Sequence, residues 1–335
     1  AMAFERSELK NDFGDPVGEV RSCREEGALF DFSFLECARL RGPDALSVVE
    51  AFARRPLATL AQGAIAYAIR TDSYGMALAD LTIWRTGVDT FEVMSGRRKD
   101  VDDLMVCASA RVETTNLGKA RAVFAVQGPG ALDALGKLGG DDTIGDLTYF
   151  RFAQAELAGT LCTIGRLGYT GEAGFEIILP RSESQRIWRQ LARYSMPSGF
   201  IAMDTLRIEA GFVLFANEFR LHVSPAEAGL QQFCAEQNVQ QTALKLVSFQ
   251  AEADHFLLPW VRQCPLERPV EPGVIAITSA CNSILANGIL GLGFVTASTA
   301  DSATLHDPSG EFREIRRAPR PFYDELKRRP RQPWR

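Results

Sequence analysis

Residues 166–180 read Arg166-Leu167-Gly168-Tyr169-Thr170-Gly171-Glu172-Ala173-Gly174-Phe175-Glu176-Ile177-Ile178-Leu179-Pro180. Glycine reaches positive φ without steric cost, so Thr170, Gly171 and Gly174 read as a tight connection between two apolar runs. Leu161 to Tyr169 and Phe175 to Leu179 are expected to pair as a hairpin. Alternation along the second strand turns Glu176 away from Phe175 and Ile177 and sets it on the face of Ile178. A carboxylate on an apolar face needs two N–H donors, an arginine or water.

Outward from this segment the chain divides by texture. Leu40-Arg41-Gly42-Pro43-Asp44-Ala45-Leu46 and Val126-Gln127-Gly128-Pro129-Gly130-Ala131-Leu132 repeat one pattern: a strand end, a glycine, a proline suited to the first helical position, then an amphipathic helix. Leu46, Val49 and Phe52 form the apolar stripe of the first helix, and Leu132, Leu135 and Leu138 that of the second. Between them, Ile65 to Thr71, Ala77 to Thr86 and Thr90 to Ser95 read as strands broken at Gly75 and Gly87, with a helix from about Lys99. After the opening segment, Ser182 or Ser184 caps a helix carrying Ile187, Trp188 and Leu191 on one face, ended by Pro197 and Gly199. A further helix is expected to begin with Asp204 as its cap. From about 236, short strands (Ala243 to Gln250, Gly273 to Ser279, Gly288 to Ala297) are separated by Pro, Gly and Asp, so the pattern alone gives mixed α/β followed by β.

With 335 residues, 46% hydrophobic and 24% charged, the chain is an ordinary globular protein large enough for two or three domains. No apolar run approaches the ~18 residues of a membrane span and no secretory leader is apparent, so a cytoplasmic location is expected. The opening Ala-Met-Ala reads as a cloning remnant. Seven scattered cysteines (Cys23, Cys37, Cys107, Cys162, Cys234, Cys264, Cys281) without a C-x-x-C pair read as reduced thiols. His222, His255 and His306 stand at no metal-ligand spacing, which argues against a zinc site or a serine–histidine triad, and no metal is expected. Arg313 to Arg335 holds nine basic residues against three acids, a net +6, leaving −11 of the total −5 for the remainder. This short, proline-broken tail reads as a solvated surface rather than a nucleic-acid site.

The opening segment resembles the signature of the glycine-cleavage T-protein (aminomethyltransferase) family, whose members bind tetrahydrofolate. Leu29-Phe30-Asp31-Phe32-Ser33, Gln127-Gly128-Pro129, Asp204 to Gly211, Pro225 to Leu230 and Pro321-Phe322-Tyr323 are similar to further landmarks in the family's order. The resemblance implies an α+β, three-domain cloverleaf around a central folate site. Residues 1–40 and 120–235 would form a discontinuous first α/β domain, 41–119 an inserted second one, and 236–335 a small β-barrel-like third.

It also implies roles. The family's glutamate that accepts two N–H bonds from the pterin is Glu176 here, a two-point, charge-assisted contact of the strong kind. Gly75-Met76-Ala77-Leu78-Ala79-Asp80-Leu81 is similar to the family's G-G-I-I-D-D-L, which makes Asp80 the catalytic acid or base. Burial among Leu78, Leu81 and Ile83 would raise its pKa toward a useful value. Tyr67 and Tyr169 match aromatics around the folate. Val93-Met94-Ser95 replaces the family's V-V-N, so Val93 and Ser95 join the cofactor set, and Arg97-Arg98-Lys99 read first as a solvated helix start, with the folate's anionic tail as the alternative partner.

Met203 stands where the family has a ligand-contacting arginine, and Ala79 where it has the first aspartate of its pair. These departures point from glycine cleavage toward a methyltransferase or demethylase paralogue that moves a one-carbon unit between tetrahydrofolate and a small N-, O- or S-substituted molecule. The glycine-cleavage enzyme itself and a non-catalytic folate-binding scaffold are the alternatives. Partners are expected to be small molecules, with neither nucleic acid nor membrane involved.

Overall fold

A computed structural model describes residues 9–140, 142–235, 242–253 and 266–334, so His255 and Cys264 lie outside the described residues. The strand Gly174–Pro180 lies inside a six-stranded sheet ordered Met196–Ser198, Ala28–Asp31, Arg121–Gln127, Gly174–Pro180, Thr160–Gly165, Phe152–Leu157. The expected hairpin is formed, with Glu176 opposite Gly165 and Ile177 opposite Ile164. On its other edge Glu176 faces Ala125. Phe175, Ile177 and Leu179 point into a cluster with Leu135, Ile187 and Leu191, the stripes of two covering helices, Ala131–Gly136 and Ser184–Leu191. Ile178 and Ala125 point the other way, into the central core.

The connection owes its shape to Gln127. Its amide donates to the carbonyls of Leu167 (3.2 Å) and Phe175 (3.4 Å) and accepts from the Thr170 hydroxyl (3.0 Å). A Cβ at Gly168 would fall 1.8 Å from this side chain, and one at Gly174 2.5 Å, so both glycines make room for the knot that ties the turn. Gly165 is glycine for a second reason. A Cβ there would stand 2.2 Å from the buried Trp84 ring, on a strand of another sheet. Gly165→Ala is therefore expected to cost about 1–3 kcal/mol by overpacking, read as a lowered midpoint of thermal unfolding. An unchanged midpoint would show that Trp84 yields freely.

Trp84 belongs to a five-stranded sheet ordered Ile65–Thr71, Ala77–Gly87, Thr90–Ser95, Glu36–Arg41, Glu113–Asn116. By hydrogen bonding Glu36–Arg41 is a strand of this sheet, so a division at residue 40 cuts through it. The outer face packs on the helices Ala45–Ala53 and Arg98–Cys107, whereas Ile65, Ile69, Trp84 and Met94 face the central core. In both strand–Gly–Pro–helix modules the helix starts two residues after the proline, at Ala45 and Ala131, so the proline precedes the cap rather than opening the helix.

The C-terminal strands form a four-stranded antiparallel sheet, Ala276–Ser283, Gly288–Thr296, Leu244–Glu252, Arg313–Ala318. Among the described residues it is open, not the barrel expected. It has no need to close on itself, because Leu244, Leu292 and Phe294 on one face join the central core while Phe249, Ile277 and Ile315 bury the other in a separate cluster.

Two further expectations are corrected. The helix assigned to start at Asp204 runs Phe200–Glu209, and Asp204 is buried in its second turn. There it accepts from Arg207 Nε at 2.7 Å, while the same guanidinium reaches Glu218 at 3.0 Å and the Ser279 hydroxyl at 2.7 Å. A buried network outbids the aspartate's capping preference. The basic C-terminus is a solvated surface only in part: Arg313, Arg316, Arg328, Arg329 and Arg331 are exposed as expected, but the segment is not free of the fold. It packs back across the opening segment: Tyr323 donates to Glu172 (2.5 Å), Arg329 pairs with Glu172 (3.4 Å), and Trp334 stacks on Phe175 with centroids 5.3 Å apart. Among the described residues no helix is long and apolar enough to cross a membrane.

Candidate active site

Where the inner faces of the sheets converge, a cavity of about 140 Å³ is lined by Tyr67, Asp80, Ser95, Tyr169, Glu176 and Met203, together with Phe32, Phe34, Phe150, Phe215 and neighbouring residues. Six of the seven residues expected to form the site thus meet here. The seventh, Val93, does not. It is buried on the opposite face of its strand among Ala38, Leu40 and Leu81, and Met94 takes the place on the cavity wall.

Asp80 stands on Ala77–Gly87, opposite Ile69, while Tyr67 on the adjoining strand is opposite Thr82. This diagonal places Tyr67 and Asp80 on one face, and the phenol donates a hydrogen bond to the carboxylate. Loss of water pushes Asp80 up to about 6, against the hydrogen bonds that favour its ionised form. The apolar surroundings that do this are those of the cavity, since Leu81 and Ile83 lie on the far face with the helices.

Glu176 is almost wholly buried at 7% exposure, and no donor among the described residues reaches it. Desolvation alone pushes it up to about 7. Its strand neighbours, Gly165 and Ala125, have no side chains long enough to cover it. Among the described residues the donors predicted for it are absent, and the carboxylate is left facing the cavity.

The other positions are more constrained. Tyr169 donates to the Val213 carbonyl and stacks on Phe212 at 5.8 Å and 12°, while Tyr67 meets Phe233 edge-on at 4.9 Å. The Ser95 hydroxyl donates to Asp100 (2.6 Å) and accepts from the Arg97 N–H (3.0 Å), so it fastens the start of the helix Arg98–Cys107 as well as lining the wall. Arg97 and Lys99, considered for an anionic tail, pair with Asp100 (3.6 Å) and Asp103 (2.8 Å). Phe34 and Phe215 were not anticipated. Phe215 had a signal in Gly96, whose Cβ would lie 2.7 Å from its ring.

A larger groove of about 530 Å³ adjoins at Phe32, Phe34 and Met203. Its lining contains Asp31, which is exposed, and no buried carboxylate, so the buried carboxylates are those of the smaller cavity.

Residues 4–238 match the GCVT N-terminal domain. The chain belongs to the T-protein family. Its landmarks therefore carry structural content: Arg207 of the Asp204 to Gly211 landmark holds the buried network, and Glu227 of Pro225 to Leu230 fastens Leu244 (3.2 Å) and Arg268 (2.6 Å). The chain is 32% identical over 235 residues to an aminomethyltransferase of Desulfitobacterium hafniense, covering 68% of this chain and 64% of that protein. It is 31% identical over 243 residues to one of Moorella thermoacetica, covering 70% and 65%. The chain thus matches somewhat under two thirds of the length of these relatives. The crystal structure of aminomethyltransferase T from Bartonella henselae superposes with a TM-score of 0.71 at 21% identity, covering 87% of this chain and 84% of that one, which shows the shared fold.

Proposed function

We propose that this member of the T-protein family is a tetrahydrofolate-dependent one-carbon transferase of the methyltransferase or demethylase kind. The observation that supports the reading is the pairing in one cavity of two carboxylates from different sheets, both shifted upward, one hydrogen-bonded and one without a donor. The pterin of a folate brings an amino group and an adjacent ring N–H, the two donors Glu176 lacks. The cavity is smaller than the ~300 Å³ of a complete drug-sized site, so it encloses a ring system and leaves a longer tail at the mouth.

In this reading the folate supplies a nucleophilic amine that accepts the one-carbon unit. Glu176 fixes the ring, Tyr67 and Tyr169 wall it, and Asp80 takes the proton released at the attacking nitrogen and returns it to the departing heteroatom. Ala79 supports a paralogue's role: it stands, fully buried in the central core, where the family has the first aspartate of its pair. Apart from Asp80 and Glu176 the lining holds no acid, and Phe32, Phe34, Leu35 and Phe215 favour an aryl methyl ether or thioether over a cationic amine as donor.

The names of the curated relatives favour a second reading, aminomethyl transfer from a carrier protein. Incubation with tetrahydrofolate and a panel of donors separates the two. Methylfolate formed from an aryl methyl ether or thioether is the expected result, whereas turnover with an aminomethyl-lipoyl carrier alone would select the second reading.

A further inference from the structure

The lining of the Glu176–Asp80 cavity holds four hydroxyl groups, those of Tyr67, Thr82, Ser95 and Tyr169. Three have spent their hydrogen inside the protein. Tyr67 donates to Asp80, Tyr169 to the Val213 carbonyl, and Ser95 to Asp100 at 2.6 Å. Toward a ligand these three can only accept.

Thr82 is bonded the other way round. An indole N–H can only donate, so the Trp84 contact at 3.1 Å makes the Thr82 oxygen an acceptor. Its own hydrogen meets no acceptor among the described residues. Thr82 stands on the strand Ala77–Gly87, opposite Tyr67 on one side and Met94 on the other, both of which line the cavity. Alternation puts it on the face of Asp80, two positions and about 7 Å along the strand. The indole that orients it is itself held, since Trp84 is buried in the central core and packs on Phe152 with centroids 5.1 Å apart. The free hydrogen is thus presented from a preset oxygen.

With Glu176, from the other sheet, on the N–H edge of the ring and Asp80 at the reacting nitrogen, a donor beside Asp80 lies at the end of the cavity where bonds change. There the amine nitrogen bonds to the methyl carbon, the bond from that carbon to oxygen or sulfur breaks, and its electron pair stays on the departing atom. Asp80 takes the proton from nitrogen. We propose that the Thr82 hydroxyl donates a hydrogen bond to the departing atom and so stabilises the negative charge that gathers there until the proton returns. The hydroxyl keeps its own hydrogen throughout. Oxygen accepts such a bond better than sulfur does, so the assignment favours an aryl methyl ether over a thioether. This rests on the methyl-transfer reading.

Turnover of the methyl ethers of a graded series of phenols, with tetrahydrofolate as acceptor, tests it. In Thr82→Val, kcat is expected to fall about 10–100-fold for the ether of the least acidic phenol, as for loss of one hydrogen bond to a charged atom. The loss should shrink as the phenol becomes more acidic and needs less help. The tetrahydrofolate Kd should be unchanged and Thr82→Ser near wild type. Valine also removes the acceptor of the Trp84 N–H and should lower Tm, but a disturbed wall slows every ether alike. A loss equal across the series, a loss carried by the tetrahydrofolate Kd, or no loss would overturn the role of Thr82 while leaving methyl transfer intact. A native protein that demethylates none of the ethers would overturn both.

Discussion

Asp80→Asn is expected to lower kcat by about 10²–10⁴-fold, the range for loss of a positioned proton carrier, with the Kd for tetrahydrofolate nearly unchanged. Asparagine keeps the volume and can still accept from Tyr67, so the cavity wall survives while the group that takes a proton does not. The pH profile supplies an independent reading. Because desolvation raises Asp80 to about 6, the native enzyme should gain turnover as pH rises through about 6 and then level off, since only the ionised form accepts a proton. That rise should be missing in Asp80→Asn. Full activity in the variant would remove Asp80 from the chemistry, and a residual rise at the same pH would assign it to another group. Tyr67→Phe gives a second handle: deleting the hydrogen bond that favours the ionised form should move the inflection to higher pH.

How much of this was legible beforehand depended on whether the determining contacts were local. The hairpin and the face of Glu176 followed from glycine positions and a period of two, and the strands Ile65–Thr71 and Thr90–Ser95 were read with their observed bounds. Val93 fails for a reason internal to its strand. Thr90-Phe91-Glu92-Val93 alternates polar and apolar and sets Val93 with Phe91 on the helix-covered face, so its place in the expected site followed the resemblance against the strand's own alternation. The helix Pro16–Glu25 passed unread although its start was written plainly, with Asp15 accepting from the Gly18 N–H at 2.9 Å and Pro16 in the first position.

The remaining errors came from distant partners. Asp204 had the right chemistry for a cap, and what overrode it was Arg207 together with Glu218 and Ser279, up to 75 residues away. The docking of Tyr323, Arg329 and Trp334 went unread because their partners, Glu172 and Phe175, lie about 150 residues earlier. Composition counts charges and carries no information on which of them meet.

Glu176→Gln carries the second large effect, and it separates stability from function. In the ligand-free protein Glu176 has a raised pKa, so its folded form binds a proton more tightly than the unfolded chain does. Its contribution is therefore favourable at low pH and is lost as pH rises from about 4.5 toward about 7, where the buried charge is left unpaired. Glutamine removes that charge, and at pH 8 the ligand-free variant should be the more stable by on the order of 2–3 kcal/mol, seen as a higher Tm. Binding should go the opposite way. The carboxylate offers two acceptor oxygens to the pterin's donors, and the amide offers one acceptor and one clashing NH₂, so affinity is expected to fall about a hundredfold. In the native protein affinity should rise with pH up to about 7, because the ring selects the ionised carboxylate, and the variant should show no such slope. A variant that binds tetrahydrofolate as well as the native protein would separate Glu176 from the ring. A lowered Tm at pH 8 would mean that its charge is already neutralised in the ligand-free protein. Raised stability with lost affinity is the signature of a group left unsatisfied in the fold so that a ligand can satisfy it.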